Sequence, residues 1–315
     1  MVDHATDGRH AEQPQQIGVR GWTAIARRVK EQFKSDNVTI LAAGLAFYLL
    51  LALAPALVAV LSVYGMVSDP ADISSQIEQF SSALPADMRN LLEEQLRTAA
   101  TTSSSRLGLG LIVGIAAAVL AASKGARALV QAVNVAYDED ETRGFVKLRV
   151  LGLSITLVGL IFIVAALLAL TVLPAAGDRM GDGGRLAASI IRWPLLALLG
   201  VVALAALYRY APDRDDARWV WVTPGALTAV VIWLLGSVAF TIYADQFGSF
   251  GKTYGALGAV VVLMLWLFIT AMAVLTGAEI NGETERQTME DSTVGARRRL
   301  GQRDAYAADT VGADS

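Results

Sequence analysis

Six stretches of this sequence are long and apolar enough to cross a lipid bilayer, and they restrict the fold more than any other feature. A helix needs about 20 apolar residues to cross the hydrocarbon core. The fourth stretch is short, so we expect its helix to start nearer Ala188. We therefore predict an all-α, polytopic membrane protein with about six transmembrane helices. The stretches are residues 41–65, 107–124, 148–173, 194–208, 224–243 and 256–277.

The remaining segments divide the chain into three predicted regions. Residues 1–37 are a polar N-terminal tail, 38–278 are the six-helix transmembrane domain, and 279–315 are a polar C-terminal tail that we expect to be disordered. Residues 68–106 carry too many charges to span a membrane. Their apolar residues recur at helical spacing, which predicts extracytoplasmic amphipathic helices between the first two spans.

The distribution of Lys and Arg predicts the orientation of the chain. Six lie in the N-terminal tail, five in 123–149, three in 209–218 and five in the C-terminal tail, which makes 19 of the 26. Lys and Arg concentrate on the cytoplasmic side of membrane proteins. Both tails are thus predicted to be cytoplasmic, which requires an even number of spans.

Prolines mark several predicted helix boundaries. Pro55, in the middle of the first span, is expected to kink it or to act as a hinge. Pro174 is expected to close the third span. Thr223 is the predicted N-cap of the fifth span, with Pro224 at its first helical position.

Ionisable groups are missing from the six central stretches. The chain has no Cys, and both His residues lie in the N-terminal tail, so we predict no catalytic residue, no metal site and no cofactor. Lys124, Arg127 and Glu279, at the helix ends, are the candidates for coupling to a proton gradient. The alternative is that these three are ordinary interfacial or helix-end charges. Hydroxyls are the polar groups inside the spans, among them Tyr48, Ser62, Ser154, Thr156, Thr228, Ser237, Thr241 and Thr270.

Four short patterns need weighing before any function is assigned. The GKT of 251–253 lacks the upstream Gly of a phosphate loop and is expected to be a turn. The acidic run 138–141 could bind a divalent cation or form a solvated helix end. The three arginines of 297–299 could contact anionic lipid or serve as a topology signal. Trp233 and Trp266 are interpreted as packing residues.

Longer motifs resemble a known family. They are AAGLAFYLLLALAPAL at 42–57, NVAYDEDETRGFVKLR at 134–149, the stretch from YRYAPDRDDARW through TPGALTAVVIWLLGS at 208–237, and FGSFGKTYGALGAVV through GAEINGETER at 247–286. Over about residues 20–290 they look like the YihY/BrkB family of bacterial inner-membrane proteins. The resemblance implies six helices with cytoplasmic ends in the plasma membrane. Members have carried ribonuclease BN and virulence-factor labels, and some relatives are suspected of moving envelope lipids.

Three functions follow as hypotheses. The first is a transporter or flippase of a lipidic or amphiphilic substrate, with membrane lipids as partners. Its predicted substrate path consists of Tyr48, Pro55, Asn134, Arg143, Lys252 and Tyr254. The second is a non-transporting envelope scaffold that binds partner proteins. The third, a ribonuclease, lacks a metal-ligand cluster or a basic face, so we predict neither enzyme activity nor nucleic-acid binding. A homo-oligomer remains open.

Overall fold

The computed structural model describes residues 7–67, 107–246 and 256–312, and most of these residues are helical. Within them we find no named β-strand, only an isolated bridge between Ala217 and Thr293. A 3-10 turn at Pro14–Gln16 precedes the first α-helix. The α-helices are α1 (Val19–Ser35), α2 (Val38–Val67), α3 (Leu107–Ala136), α4 (Phe145–Arg179), α5 (Asp182–Tyr210), α6 (Trp219–Gln246), α7 (Ala256–Glu285) and α8 (Tyr306–Asp309).

Four of these helices are long and apolar enough to cross a membrane by length and composition. The apolar windows of α4 and α5 have mean hydropathies of 2.8 and 2.2, yet only 6% of each window is buried inside the protein. A surface this apolar is stable only if lipid covers it. The other two are α6 and α7, and the α1–α2 pair, bent by 65°, is a fifth candidate. The protein is therefore a multi-pass membrane protein, while the count of six spans stays a prediction.

The six long helices pack in a closed ring that follows the order of the chain. Each of α2 to α6 contacts the next helix, and α7 returns to contact α2. α7 also touches α1, α3 and α8, so it has the most helix neighbours in the described part of the chain. α7 is therefore the element around which the other described helices are arranged.

Two glycines allow α6 and α7 to approach closely. A Cβ on Gly225 would overlap the backbone carbonyl oxygen of Gly277, and a Cβ on Gly277 would lie 2.6 Å from the Gly225 carbonyl oxygen. Asn281 fastens the contact, because its Oδ1 accepts a hydrogen bond from the Gly225 N–H at 2.7 Å and its Nδ2 donates to the Val222 carbonyl at 3.0 Å. The hydroxyl of Tyr208 on α5 donates to the Val274 carbonyl at 2.7 Å. The glycines of the PGA and GAEIN motifs are thus packing residues.

Three predicted helix boundaries are wrong. α6 begins at Trp219, so Pro224 lies inside the helix, and the Thr223 hydroxyl donates to the Trp219 carbonyl at 2.7 Å instead of capping the helix. α4 continues beyond Pro174 to Arg179. α5 begins at Asp182. Proline is tolerated inside membrane helices where neighbouring groups satisfy polar backbone atoms, and Asn281 binds the Val222 carbonyl and the Gly225 N–H on either side of Pro224.

Other predictions about the helices have different outcomes. α3 extends beyond the membrane-length stretch to Ala136, as the sequence predicts. α2 is a continuous helix from Val38 to Val67, and the kink at Pro55 stays a prediction. The amphipathic helices expected in 68–106 lie outside the described residues.

The C-terminal tail is folded, in contrast to the expected disorder of 279–315. α7 extends to Glu285, and the described tail residues that follow pack against the N-terminal tail. Gln287 donates to the Asp7 carbonyl at 2.7 Å and the Thr288 hydroxyl donates to the Ala11 carbonyl at 2.7 Å. The expectation failed because it rested on the scarcity of apolar side chains. Here polar groups of the two tails form hydrogen bonds with one another, and the amino-acid composition of either tail does not reveal such pairing.

These tails and two loops form one layer, which we call the polar cap. It comprises residues 7–36, 137–144, 211–218 and 279–312. They meet at the end of the bundle where α3, α5 and α7 finish and α4 and α6 begin, as the hydrogen bonds described below establish.

The close contact of α6 and α7 generates a prediction. Gly225→Ala should lower the free energy of unfolding by about 1–3 kcal/mol, the usual cost of overpacking a filled site. The measurement is the thermal unfolding of purified protein in detergent, followed by Trp fluorescence. Gly159→Ala on α4 is the control, because a Cβ there would meet no atom within 4 Å. Equal midpoints for the two variants would contradict the assignment.

A second prediction concerns the fully buried pair of Arg214 and Glu285 in the polar cap. Glu285→Ala leaves the Arg214 charge buried without its partner, which costs about 3–5 kcal/mol. Backbone amides of 286–293 should then lose hydrogen-exchange protection, measured by mass spectrometry. Arg298→Ala, which breaks an ion pair with Asp215 at the surface, should leave that protection nearly unchanged. Unaltered protection in the Glu285 variant would show that the pair does not hold the cap.

Candidate functional site

The polar cap gathers an unusual number of buried charged side chains. Arg9, Arg28, Arg303 and the three glutamates 279, 283 and 285 are each less than a tenth exposed. Charges are buried in proteins only when they are paired or hydrogen-bonded, or when they take up or lose a proton. The cap is therefore the part of the described chain where ionic chemistry is concentrated.

Asn134 and Arg143, two of the predicted path residues, meet in this cap. Arg143 donates from Nε and Nη2 to the carboxylate of Glu141, both at 2.7 Å. Asn134 donates to the same carboxylate at 2.9 Å and accepts from the Asp213 N–H at 2.9 Å. Arg143 also donates to the Ala211 carbonyl at 2.8 Å. The network joins the α3–α4 loop to the α5–α6 loop.

Asp213 is the acidic centre of that junction. Burial opposes its ionised form, but the hydroxyl and backbone N–H of Thr142, each 2.6 Å away, and the charge of Arg143 together lower the pKa of the Asp213 carboxyl. Asp213 is thus a stable negative charge that fixes the positions of the two loops.

A second network ties the C-terminal end of α7 to the α5–α6 loop. Arg214 donates to both carboxylate oxygens of Glu285, at 3.1 and 2.7 Å, and the Ser292 hydroxyl adds a hydrogen bond of 2.6 Å. The guanidinium of Arg214 also lies over the ring of Tyr137, 5.5 Å from its centroid. Burial and the charge of Glu285 raise the pKa of the Tyr137 phenol, so the ring stays neutral.

A third network centres on Glu283. Arg28 of α1 donates from Nε to one carboxylate oxygen and Arg286 donates from Nη1 to the other, each at 2.5 Å. Arg28 also reaches the side chain of Gln287 at 2.8 Å. Glu283 therefore connects the N-terminal helix to the C-terminal tail with both oxygens satisfied.

The acidic run 138–141 is divided among these networks. Asp138 accepts a hydrogen bond from Gln32 at 2.8 Å. Glu139 accepts one from the Tyr306 N–H at 2.7 Å, and burial raises the pKa of its carboxyl to about 7. Across the described ranges, no group of three or more His, Asp or Glu side chains could hold a metal ion.

Two of the three consecutive arginines at 297–299 form ion pairs with the protein itself. Arg297 pairs with Glu12 at 2.6 Å and Arg298 with Asp215 at 2.6 Å. Both arginines are about half exposed or more, so these pairs contribute little stability. Their positive charge remains available at the outer surface of the cap.

The other predicted path residues lie elsewhere. Tyr48 is on α2, half exposed, with its ring edge-on to Phe47 at 5.9 Å. Pro55 lies one to two turns further along α2. Lys252 and Tyr254 fall outside the described residues. The structure thus brings together only Asn134 and Arg143, and the substrate path through all six residues stays a prediction.

An apolar groove lies between α6 and α7, away from the polar cap. It has a volume of 380 Å³ and is open on one side. Its position near the C-terminal end of α6 and the first half of α7 places it in the opposite half of the bundle. The lining residues are Gly236, Ala239, Phe240, Tyr243, Leu265, Phe268 and Ile269.

Two tryptophans lie next to the groove in the sequences of α6 and α7. The rings of Trp233 and Trp266 meet edge-on at 6.0 Å, and the Trp233 Nε1–H donates to the Thr270 hydroxyl at 3.1 Å. The two tryptophans are in mutual contact, as expected of packing residues.

Most of the hydroxyls inside the described spans are satisfied within their own helices. Each of those named in the next sentence donates to the carbonyl four residues earlier, which neutralises a polar group in lipid. They are Ser154, Thr156, Thr228, Thr241 and Thr270. These hydroxyls therefore do not assemble into a polar substrate site.

Sequence reasoning missed most of the cap. Asp36, Arg28, Arg214, Glu283 and Glu285 were not singled out, because each stands in a polar segment. One signal was available: Glu279 and Glu283 are four residues apart, as are Asn281 and Glu285, on a pattern that continues the last apolar helix. Such spacing predicts a helix whose polar end is packed on two faces.

Comparison with known proteins agrees with this architecture. The ribonuclease-like protein YfkH of Bacillus subtilis (strain 168) is 32% identical over 253 residues, which cover 76% of this chain and 87% of that protein. A UPF0761 membrane protein of Alteromonas mediterranea is 28% identical over 251 residues, 78% of this chain and 82% of that protein. One from Rhodospirillum centenum is 25% identical over 263 residues, 81% of this chain and 56% of that protein.

No solved structure matches the chain. The family model described as Virulence factor BrkB matches residues 29–301, which include all the long helices and most of the polar cap. The matched region contains the Gly225–Gly277 contact and the Arg214–Glu285 pair. The chain belongs to the virulence factor BrkB family.

Proposed function

We propose that this protein is an inner-membrane transporter or flippase of a lipidic or amphiphilic substrate, with both tails in the cytoplasm. The observation that carries the proposal is the apolar groove between α6 and α7. Its volume and aromatic lining suit an acyl chain or another extended apolar group. Its open side faces the surface that lipid covers, so a substrate can enter sideways from the bilayer.

The orientation is supported by where the charges lie. The polar cap brings together the segments that hold most of the Lys and Arg residues. Such a face belongs on the cytoplasmic side of a plasma membrane. The groove would then open in the outer half of the bilayer, at the end of a path for an amphiphile that crosses the membrane.

An uncharged interior is compatible with this substrate class. A lipid tail needs no ionic partner, and the hydroxyls of the described spans bond to their own helices. A small charged solute would require an ionisable or polar site at mid-membrane. The proposal is thus for substrates that are mainly apolar.

The scaffold alternative has an observation in its favour. The two tails and two loops pack together and form one continuous surface. Its outer face carries Arg297 and Arg298, which are well exposed. Such a surface suits a partner protein with acidic groups, and it would need no substrate path.

The groove generates a test. Ala239→Trp should fill the groove and reduce lipid scrambling by protein reconstituted in liposomes, measured with a fluorescent lipid that an impermeant reductant bleaches. Val238→Trp, a neighbouring position that is 61% exposed, should leave the rate unchanged. The first variant blocks the space for an acyl chain, whereas the second only adds surface to lipid.

Two outcomes would count against transport. The wild-type protein could scramble no faster than empty liposomes, or both Trp variants could behave alike. If the wild type is inactive and crosslinking in cells captures stable partner proteins, the scaffold is favoured. If the purified protein cleaves RNA, and the cleavage persists after contaminating nucleases are removed, the activity named in the relative YfkH is favoured instead.

A further inference from the structure

An elbow between α1 and α2 places one carboxyl group against another. The two helices bend by 65° at Asp36 and Asn37, and Asn37 has a left-handed backbone with φ of 51°. Asn37 starts α2, because its carbonyl accepts hydrogen bonds from the N–H groups of Ile40 and Leu41. Asp36 is thereby fixed at the corner, facing α7.

Glu279 lies opposite on α7. It is only 2% exposed, and its carboxyl group lies beside that of Asp36. Two carboxylates offer only acceptors, so a hydrogen bond between them requires a proton on one of the two. The contact therefore implies a shared proton.

In the described part of the chain, no N–H or O–H group donates a hydrogen bond to the buried oxygens of this pair. Across the described residues, neither Oε1 of Glu279 nor Oδ2 of Asp36 has a hydrogen-bond partner on an N–H or O–H group, although both atoms are buried. Glu285, by contrast, receives hydrogen bonds from Arg214 and Ser292. Glu283 receives them from two arginines. The pair of Asp36 and Glu279 thus stands apart from the other buried acids of the cap.

The charges around the pair are acidic or already engaged. Asp138, after α3, and Glu283, on α7, both add negative potential at Glu279. Burial and the charge of Asp36 raise the pKa of the Asp138 carboxyl. Acidic side chains are thus concentrated around Asp36. Arg28 of α1 and Arg286 of α7 face this region, but both are bound to Glu283.

Other elements around α7 bring no compensating cation. The portions of α2 and α6 at the cap contain no charged side chain. α8 contributes Tyr306, whose ring lies beneath the Arg286 guanidinium. Tyr137 faces Glu279 as a neutral phenol. On α3, Lys124 is exposed to the outside and Arg127 packs against Gly152 of α4.

We propose that Asp36 and Glu279 form a proton-binding site, and that its occupancy sets the position of the α1–α2 elbow against α7. With the proton bound, the two carboxyl groups share one hydrogen bond and the elbow is closed. Without it, two like charges face each other in a buried position, which disfavours the contact. The elbow then moves away from α7 and water reaches the carboxylates.

The bound proton and the position of the elbow can both be measured without a transport assay. Infrared difference spectra of the purified protein, recorded as the pH is raised, report the carbonyl stretch of a protonated carboxyl. The wild type should keep such a band near pH 6, where ordinary carboxyl groups with a pKa of about 4 are ionised. The spectra are recorded in a Glu139→Gln background, because burial also raises the pKa of the Glu139 carboxyl, to about 7. In that background Glu279→Gln and Asp36→Asn should each remove the band, since an amide donates the hydrogen bond that the proton supplies.

The elbow is measured by pulsed electron spin resonance. The chain has no Cys, so labels can be placed at Thr23→Cys on α1 and Phe145→Cys at the start of α4, both exposed sites. The distance between them should shift over the pH range in which the infrared band disappears. The shift should be absent in Glu279→Gln, which mimics the protonated pair.

Glu31→Gln, an exposed acid on α1, is the matched control and should keep both the band and the shift. A band that survives in both pair variants would overturn the proton site. A distance that does not follow the pH in the wild type would overturn the control of the elbow. Neither result depends on whether the protein moves a substrate.

Discussion

The close contact between α6 and α7 determines much of what surrounds it. Gly225 and Gly277 bring two backbones together, and Asn281 bridges them with hydrogen bonds to both ends of the Pro224 turn. This fixes the rotation of α7 about its axis. The same rotation directs Glu279 towards α1 and Glu285 towards the α5–α6 loop. The polar cap is therefore organised by the helix that the apolar contact positions.

The distribution of apolar and charged side chains fits a protein that is surrounded by lipid. The long helices present large apolar side chains outward, while the buried positions at the cap hold charged and small residues. In water such an exterior would aggregate, and in lipid it has no cost. Charged side chains can be buried at one end because most of them lie within hydrogen-bonding distance of a partner. Each half of the molecule thus has the chemistry of its own surroundings.

The sequence predicts this architecture unevenly, and the reasons are physical. Long apolar runs predicted the helices and their membrane location, because the bilayer imposes a length and a composition. Boundaries failed at Pro224 and Pro174, because both prolines lie inside continuous helices where the local sequence predicts a helix start or end. The fold of the C-terminal tail failed for a related reason. Arg214 and Glu285 are 71 residues apart, and nothing local indicates that they pair.

Candidate functional residues follow the same division. Asn134 and Arg143 were found from motif resemblance, and the structure gives them a common partner in Glu141. Asp36 gave no sequence signal, because a single acid in a polar tail is ordinary. Lys124, Arg127 and Glu279, charged residues at the ends of apolar helices, were the positions that pointed towards ionic chemistry. The apolar groove could not be predicted, because it depends on how α6 and α7 pack against each other in three dimensions.

We propose that the single polar cap formed by both tails lies on the cytoplasmic side of the membrane. This proposal is tested by labelling single cysteines in spheroplasts with a membrane-impermeant maleimide, since the native chain has none. Cysteines at Gln15 and Leu300, both exposed in the cap, should react only after the membrane is opened. A cysteine at Asp182, exposed at the opposite end, should react in intact spheroplasts. Labelling of either tail position before lysis would contradict the account.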